Sequence, residues 1–353
     1  MKKKFKVIIA LSSILGLVVV SGLTTSYFLF LHRYHGKEIV DEFDKTNTFD
    51  INSVKTLTKE KGKDFVILNL ADVQMCDLED IKYMSKIKAE IDELVYNIKP
   101  DLITLTGDQT WSNENLISLT SLIGWMESYK IPWAPIFGNH DFENGDNNAV
   151  LDCLKCCEYY ENAKYSLFSR GPSNLGCYGN YAINIKEEDE IVKTLYMMDY
   201  GVNDDLTAKQ VEWFDWVSEG IKKNNNDTYS DGMIFTHKPF NELFSALFNG
   251  EEVTIPSNLK KEIEIENNES LYEIAKTRNI SDFVCGHEHW FHFCYKNEDN
   301  IRFTFSLKTG ELGGYAEGDN FYLNGATYFT LRNGETSIND YFVSKEKYGL
   351  GKE

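Results

Sequence analysis

Short apolar runs alternate with helical stretches in the first half of the chain, and this alternation restricts the fold more than any other feature. Residues 64–70, 101–106 and 132–137 are short apolar runs of the kind that forms buried strands. Residues 79–98, which place their apolar side chains on one helical face, and residues 114–129 separate these runs. Strands joined through single helices are parallel, with the helices packed on the sheet. The pattern therefore predicts a layered α/β fold.

Strand-like runs recur along the rest of the chain. They lie at 181–185, 193–199, 232–236, 281–285, 290–295, 301–307, 325–331 and 337–342, with a helix at 207–223. Residues 142–180 are irregular and rich in Asn, Gly and Cys, and we interpret them as a cap or insertion. One domain is predicted over residues 61–345, preceded by a polar stalk or linker at 37–60 and followed by a tail at 346–353.

The first 36 residues differ from the rest in charge and hydropathy. Residues 7–31 carry no charge, and a helix of that length covers the ~30 Å hydrocarbon core of a bilayer. Four lysines precede the run, so the positive-inside rule predicts a cytoplasmic N-terminus and an exported body. A cleaved signal peptide is the alternative, with Ser21-Gly22 as its site, but the apolar run continues to Leu31. We predict a single-pass signal anchor over residues 1–36.

The charge balance restricts the classes of partner. The first 37 residues hold six of the 36 basic residues and none of the 55 acidic ones, so the remainder has a net charge of −25. Binding to a nucleic acid polymer through general electrostatics needs a basic excess and is not expected. Seven cysteines are too few for a disulfide scaffold. Cysteines at 153, 156, 157 and 177 are either buried thiols or include a disulfide, and their spacing leaves both open.

Polar motifs follow five of the predicted strands. They are Asp72-Val73-Gln74, Gly107-Asp108, Gly138-Asn139-His140-Asp141, His237 and Gly286-His287-Glu288-His289. Sites in open α/β sheets form at the carboxyl ends of strands, where the three glycines permit tight turns. Carboxylate and amide oxygens bind hard ions, and imidazoles bind Zn, Fe or Mn. The motifs therefore predict a site for divalent metals.

Taken in order, these motifs resemble those of the calcineurin-like metallophosphoesterases, the superfamily that includes purple acid phosphatases and many phosphodiesterases. The family pattern is D-x-H, G-D, G-N-H-[DE], H and G-H-x-H. Here it stands as DVQ (72–74), GDQ (107–109), GNHD (138–141), H (237) and GHEH (286–289). The resemblance extends over residues 65–289. It implies a four-layer α/β/β/α sandwich of two mixed sheets, here preceded by the transmembrane helix.

The resemblance also implies a centre with two divalent ions. The ligands of the first ion would be Asp72, Gln74, Asp108 and His289. The ligands of the second would be the bridging Asp108 with Asn139, His237 and His287. A hydroxide between the ions would attack phosphorus in line. His140 would face the substrate as general acid or charge stabiliser, with Asp141 orienting it.

Two positions depart from the family pattern and bear on the metal. Gln74 stands where the commoner pattern has His, and its amide oxygen is a weaker and harder ligand than imidazole. The identity of the ions, among Mn, Fe and Zn, therefore stays open. The segment Gln109-Thr110-Trp111 lacks the metal-binding Tyr of purple acid phosphatases, so an Fe(III)–tyrosinate site is not expected.

The expected activity is metal-dependent hydrolysis of a small phosphate ester. A monoester is favoured, because His140 stands alone and the acidic body offers no basic groove for a polymer. One alternative is a phosphodiesterase acting on nucleotides, lipid head groups or envelope polymers. Another is a non-catalytic surface binding module on a degenerate phosphoesterase scaffold. Gln74 is the only feature of the sequence that favours this alternative. The predicted location is the cell membrane, reached through the N-terminal helix, with the domain on the extracytoplasmic side.

Overall fold

The computed structural model describes residues 39–76, 81–112, 115–142, 153–199, 206–240, 269–289, 292–310 and 324–343. The strands are β1 (Lys55–Lys59), β2 (Phe65–Leu70), β3 (Leu102–Thr106), β4 (Trp133–Ile136), β5 (Tyr181–Glu187), β6 (Glu190–Met197), β7 (Asp231–Phe235), β8 (Ile280–Cys285), β9 (Phe293–Lys296), β10 (Arg302–Phe305), β11 (Gly325–Arg332) and β12 (Glu335–Phe342). The α-helices are α1 (Ile81–Ile98), α2 (Asn115–Tyr129), α3 (Cys153–Asn162), α4 (Ala208–Lys223) and α5 (Glu269–Ala275). Short 3₁₀ turns cover Ile51–Ser53 and Asn139–Phe142.

A five-stranded mixed sheet carries the first three motifs. Its order is β12-β11-β2-β3-β4, and β2, β3 and β4 run parallel, as the alternation of strands and helices predicts. These three strands are almost entirely buried, which explains why they are continuous apolar runs rather than alternating ones. Helices α1 and α2 connect them, so the residues after each strand meet at one edge of the sheet.

A seven-stranded mixed sheet carries the last two motifs. Its order is β1-β5-β6-β7-β8-β10-β9, with β6, β7, β8 and β10 parallel. His237 follows β7 and Gly286 follows β8. The parallel strands of both sheets therefore end on the same side of the molecule, which we call the metal-bearing end after the metal site that the motifs predict.

The two sheets pack face to face between helices. The rings of Phe235 and Phe329 meet across the two sheets with centroids 6.3 Å apart. The Tyr181 hydroxyl donates from β5 to a carbonyl of β4 at 2.7 Å. Helix α4 covers the outer face of the seven-stranded sheet, where Phe214 contacts Tyr196 with ring centroids 4.9 Å apart. Helix α1 packs on β2 and β11 of the other sheet. The predicted pair of mixed sheets is present.

The predicted stalk at 37–60 is wrong for most of its length. Strand β1 pairs in parallel with β5 at the edge of the larger sheet. Upstream of it, Phe43 is buried, and the rings of Phe43 and Phe49 both pack edge-on against Trp216. The segment therefore belongs to the folded domain. Its strand was not predicted because an edge strand with exposed faces has no apolar run to mark it.

The predicted irregular insertion at 142–180 is also corrected. Helix α3 lies within it and buries Cys156, Cys157 and Tyr160 in the main core. Residues 143–152 of the insertion lie outside the described residues. All seven cysteines are free thiols, so the interpretation as buried thiols holds for Cys156, Cys157 and Cys177. Burial, rather than cross-linking, explains this group.

None of the helices that the structure describes is both long enough and apolar enough to span a bilayer. The predicted anchor at 1–36 and the tail at 346–353 lie outside the described residues.

Candidate metal centre

The backbone at the motifs adopts a conformation that is uncommon for residues other than glycine. Asp72, Gln74, Asp108 and His287 have φ values of 52°, 47°, 49° and 74°. Such left-handed residues cluster at functional sites, where the surrounding structure holds them. Backbone hydrogen bonds support them here, since the amide of Gln74 donates to the carbonyl of Asp108 at 2.9 Å. The first two motifs are thus fixed to each other.

Glycines leave the space into which the ligands fit. A Cβ at Gly107 would lie 2.5 Å from the His237 ring, one at Gly138 would lie 2.3 Å from Asp108 Oδ1, and one at Gly286 would lie 2.5 Å from Asp72 Oδ2. Only Gly107 has a positive φ, at +87°. The tight-turn argument therefore applies to Gly107 alone, while the other two glycines are required by close approach.

Asp72, Asp108 and His289 form the first group of donors. One ligand atom from each lies within 4.8 Å of the others, and His289 Nε2 is 3.5 Å from Asp72 Oδ1. Gln74 Oε1 is buried and accepts no hydrogen bond from the residues that the structure describes. A buried acceptor without a donor is costly, and a cation would satisfy it. The donors fit a hard or borderline divalent ion.

Asp108 also belongs to a second group, with His237 and His287. His237 Nε2 lies 3.3 Å from Asp108 Oδ1 and 3.2 Å from His287 Nδ1. Asn139 Oδ1 is 3.0 Å from the same Nε2, so the amide oxygen faces this group. The other ring nitrogen of His237 lies 2.9 Å from the Thr106 carbonyl, which sets the ring orientation. The two groups share one carboxylate, and all seven predicted ligands meet at this end.

The buried carboxylates attract positive charge. Burial by itself lowers the pKa of His237, but the charges of Asp108 and Asp72 outweigh burial and raise this pKa to about 10. Burial by itself raises the pKa values of both carboxyls, but His289 holds that of Asp72, and His237 that of Asp108, below the ordinary range. Burial and the neighbouring His237 lower the pKa of His287 to about 3, so that ring is neutral. A neutral imidazole is the form that binds a metal.

His140 and Asp141 lie beside the shared carboxylate. The His140 amide donates to Asp108 Oδ1 at 2.9 Å, and its ring Nε2 is 3.9 Å from the other carboxylate oxygen. Asp141 is buried and accepts from the amides of Thr110 at 2.9 Å and Gly138 at 2.7 Å. Burial, followed by the charge of Asp108, raises the pKa of Asp141 well above its ordinary value. Asp141 thus fixes the turn that carries His140.

Sequence reasoning missed two residues at this end. The buried amine of Lys308 donates to the Asp72 carbonyl at 2.5 Å, and burial lowers the pKa of Lys308 to about 8. It comes from the segment after β10, outside every motif. The second residue is Trp111, which the sequence pattern marks only as part of a segment without the metal-binding tyrosine. Its indole is 46% exposed and lies beside the His140 ring, with centroids 6.2 Å apart.

Comparison with known proteins establishes the family. The model of the calcineurin-like phosphoesterases matches residues 65–291, which include every motif described above. The chain belongs to the calcineurin-like phosphoesterase family. Membership of this family agrees with the resemblance drawn from the motifs, whose residues form the two donor groups at one sheet edge.

Among curated relatives of this phosphoesterase, Phosphatase DCR2 of Saccharomyces cerevisiae is 25% identical over 289 residues, covering 73% of this chain and 49% of that protein. Probable inactive purple acid phosphatase 29 of Arabidopsis thaliana is 24% identical over 247 residues, covering 62% and 60%. The chain thus spans about half of the first relative and three-fifths of the second.

Solved structures of low identity also align with the chain. GAP50, the anchor in the inner membrane complex of Plasmodium, aligns with a TM-score of 0.45 at 13% identity, over 82% of this chain and 87% of that one. Purple acid phosphatase PPD1 from yellow lupin seeds aligns with a TM-score of 0.46 at 8% identity, over 79% of this chain and 52% of that one.

Proposed function

We propose that this protein hydrolyses phosphate monoesters at a dinuclear metal centre. The observation that supports it is the pair of donor groups that share Asp108. One ion would be held by Asp72, Gln74, Asp108 and His289. The other would be held by Asp108, Asn139, His237 and His287. Two bound divalent ions, among Mn, Fe and Zn, would polarise the phosphoryl oxygens and lower the pKa of the attacking water.

His140 supplies the proton in this proposal. Its backbone is held by Asp108 and by the turn that Asp141 fixes, while its side chain is only half-buried at the edge of the centre. A positioned imidazole of this kind protonates a leaving alkoxide in the transition state. The donor groups bind and orient the phosphoryl group, and His140 completes bond cleavage on the leaving-group side.

A small monoester fits this arrangement better than a polymer, because the body of the protein has a net charge of −25. A diester substrate is the nearest alternative. A non-catalytic binding module is the second candidate function. The name of the Arabidopsis relative and the replacement of His by Gln at position 74 favour it.

The N-terminal sequence indicates a subcellular location for this activity. We infer that residues 1–36 anchor the protein in the cell membrane and that the catalytic domain lies on the extracytoplasmic side. The support is the uncharged run at 7–31 and the lysines that precede it. The partners are then the bilayer and a small phosphorylated substrate, and no nucleic acid polymer.

The test is hydrolysis of a chromogenic phosphate monoester by the full chain with Mn²⁺, Zn²⁺ or a chelator. Asp108→Asn should abolish turnover and reduce bound metal. His140→Asn should lower kcat by about 10²- to 10⁴-fold without changing bound metal. Asp92→Asn, an exposed carboxylate on α1, is the matched control and should change neither. Absence of turnover with every metal would refute the enzyme, and metal binding without turnover would favour the binding module.

A further inference from the structure

Exposed apolar side chains are concentrated at one end of the domain. Seven large apolar side chains are exposed among the described residues, namely Ile39, Val40, Tyr83, Tyr96, Trp111, Ile117 and Phe342. Six of them lie at the metal-bearing end. Tyr96, in the last turn of α1, lies at the opposite end. Exposed apolar side chains that share one end of a domain indicate an interaction surface, whereas single residues scattered over the whole surface do not.

Three of the six follow the strands that carry the metal ligands. Tyr83 is in the first turn of α1, which begins after the Asp72 motif, and Ile117 is in the first turn of α2. Trp111 comes three residues after Asp108, and its amide donates to the Met75 carbonyl at 3.0 Å. These residues therefore lie at the metal-bearing end, on the side of the five-stranded sheet.

The remaining three reach the same end through other elements. Phe342 pairs with Gly325, whose amide donates to the carbonyl of Lys308 next to the first motif. Ile39 and Val40 precede Asp41, whose carbonyl accepts from Ser173 at 2.7 Å. The loop that contains Ser173 is bonded to the N-cap of α4, and α4 begins on the side where β6 ends. We call these six side chains the apolar rim.

We propose that the apolar rim rests on a lipid bilayer, and that the phosphate monoester hydrolysed at the centre is carried by a membrane lipid. The substrate class rests on the proposed hydrolysis, whereas the contact with the bilayer rests only on the apolar rim and on the proposed N-terminal anchor. Tryptophan and tyrosine favour the interface between hydrocarbon and water, and isolated aliphatic residues strengthen such contacts in proportion to the apolar area that they bury.

The path of the chain supports this occupant over another protein. Only seven residues separate the end of the apolar run at Leu31 from Ile39. Fully extended, they span about 25 Å, so an anchor at 7–31 holds the rim close to the bilayer surface. The chain enters the domain at the metal-bearing end, and this end therefore faces the membrane. A phosphate on a lipid head group then meets the centre without leaving the bilayer.

The charge of the body indicates which lipids support the contact. A net charge of −25 repels anionic lipids, so the attraction must come from apolar contact rather than from charge. Contact with vesicles of phosphatidylcholine is therefore expected, and it should be insensitive to salt. An interface held by basic residues would instead require anionic lipids and would weaken as the salt concentration rises.

The contact is tested by fluorescence of the full chain in phosphatidylcholine vesicles, with and without lipids brominated near the head group. The chain has six tryptophans and none of them lies in residues 1–38, so the anchor itself contributes no indole signal. Trp111→Phe should remove a large part of the quenched emission. Equal fractional quenching of the wild type and Trp111→Phe would overturn the proposed contact.

The substrate class is tested in the same vesicles with phosphatidic acid included, against a soluble aryl phosphate. The double variant Ile117→Ser/Phe342→Ser should lose about tenfold in kcat/KM for phosphatidic acid, with turnover of the soluble ester unchanged. Tyr96→Ser, at the opposite end, is the matched control and should change neither. An equal loss on both substrates would overturn the inference.

Two further outcomes separate this inference from the proposed function. A wild-type protein that hydrolyses the soluble ester but not phosphatidic acid would refute the lipid substrate and leave the phosphoesterase standing. A wild type that hydrolyses neither would refute the proposed function and with it the lipid substrate, while quenching of Trp111 would still decide the contact with the bilayer.

Discussion

Asp108 is the residue on which the geometry of the centre depends most. Its carboxylate belongs to both donor groups, and it also accepts the His140 amide. The Cα of Gly138 stands directly against it, so that an added Cβ would lie 2.3 Å from both the amide nitrogen and Oδ1 of Asp108. Because a backbone atom is involved, the contact cannot be relieved by a change of rotamer.

Gly138→Ala should therefore displace Asp108 and lose bound metal. We expect a loss of about 1–3 kcal/mol in the free energy of unfolding, as for overpacking elsewhere, together with a large fall in metal content. Gly124→Ala is the control, since Gly124 lies inside α2 with open space around it and should gain about 1 kcal/mol. Urea unfolding and metal analysis measure both. Full metal content in Gly138→Ala would contradict the assignment.

In the proposed centre, Gln74 would set the metal preference of the first group. Its φ of 47° suits histidine, which tolerates the left-handed region, so Gln74→His should fold normally. Imidazole favours Zn²⁺ over Mn²⁺, and we expect the Zn²⁺ affinity to rise about tenfold or more relative to Mn²⁺. Gln74→Leu, without the oxygen, should lower the affinity for both ions. Competition with a chromophoric chelator measures these affinities, and unchanged values in both variants would show that Gln74 binds no metal.

The segment before β1 shows how an element can belong to the core without a sequence signal. Phe43 is 7% exposed and lies against Trp216, and a Cβ at Gly220 would lie 2.2 Å from the ring of Phe49. These contacts hold the segment along α4. They arise between residues more than a hundred positions apart, and local periodicity does not encode them.

Phe43→Ala tests whether this segment stabilises the domain. Removal of a buried aromatic ring should cost about 3 kcal/mol in the free energy of unfolding. Val40→Ala, at a position that is 72% exposed, should change it by less than about 0.5 kcal/mol. Urea unfolding of the full chain compares the two. A loss in Phe43→Ala no larger than that in Val40→Ala would restore the stalk interpretation.

Elements with a clear apolar pattern in the sequence were predicted closely. Elements that are held only by contacts with distant residues were missed. Strands β2, β3 and β4 and helices α1, α2 and α4 lie within two residues of their predicted bounds. Strand β1 and helix α3 were missed, because the first is a charged edge strand and the second lies within a polar, Cys-rich stretch. The same difference between local sequence pattern and long-range contact separates the residues of the metal centre that were predicted from those that were missed.

At the scale of the whole molecule, the centre was predictable because each motif follows a strand that ends on one side of the domain. Parallel strands bring such positions together whatever their separation along the chain. Lys308 was not predictable, since a β-bridge to Ala71 brings it to Asp72, 236 positions away in the sequence, and it carries no motif of its own. The motifs thus specify the candidate ligands, while the supporting contacts depend on the complete fold.

Protonation couples the centre to the stability of the whole domain. In metal-free protein, Asp108 and Asp72 overcome the effect of burial and raise the pKa of His237 from 6.5 to about 10. The folded state therefore holds a proton that the unfolded state releases. This contribution to stability is complete below pH 6.5 and is lost as the pH rises toward 10, at about 1.4 kcal/mol per pH unit.

Metal binding should cancel this dependence, because a bound imidazole must be neutral and binding displaces the proton. With a chelator present, the free energy of unfolding should fall between about pH 6.5 and pH 8.5, whereas the stabilisation by Mn²⁺ should grow over the same range. His237→Asn should remove most of the pH dependence of both the metal-free stability and the stabilisation by Mn²⁺. The control is His292→Asn, which should retain both dependences, since the His292 ring pairs with Asp340. Urea unfolding across this range measures the slopes. Parallel curves with chelator and with Mn²⁺ would show that His237 is not a ligand, since only a ligand must release its proton when the ion binds.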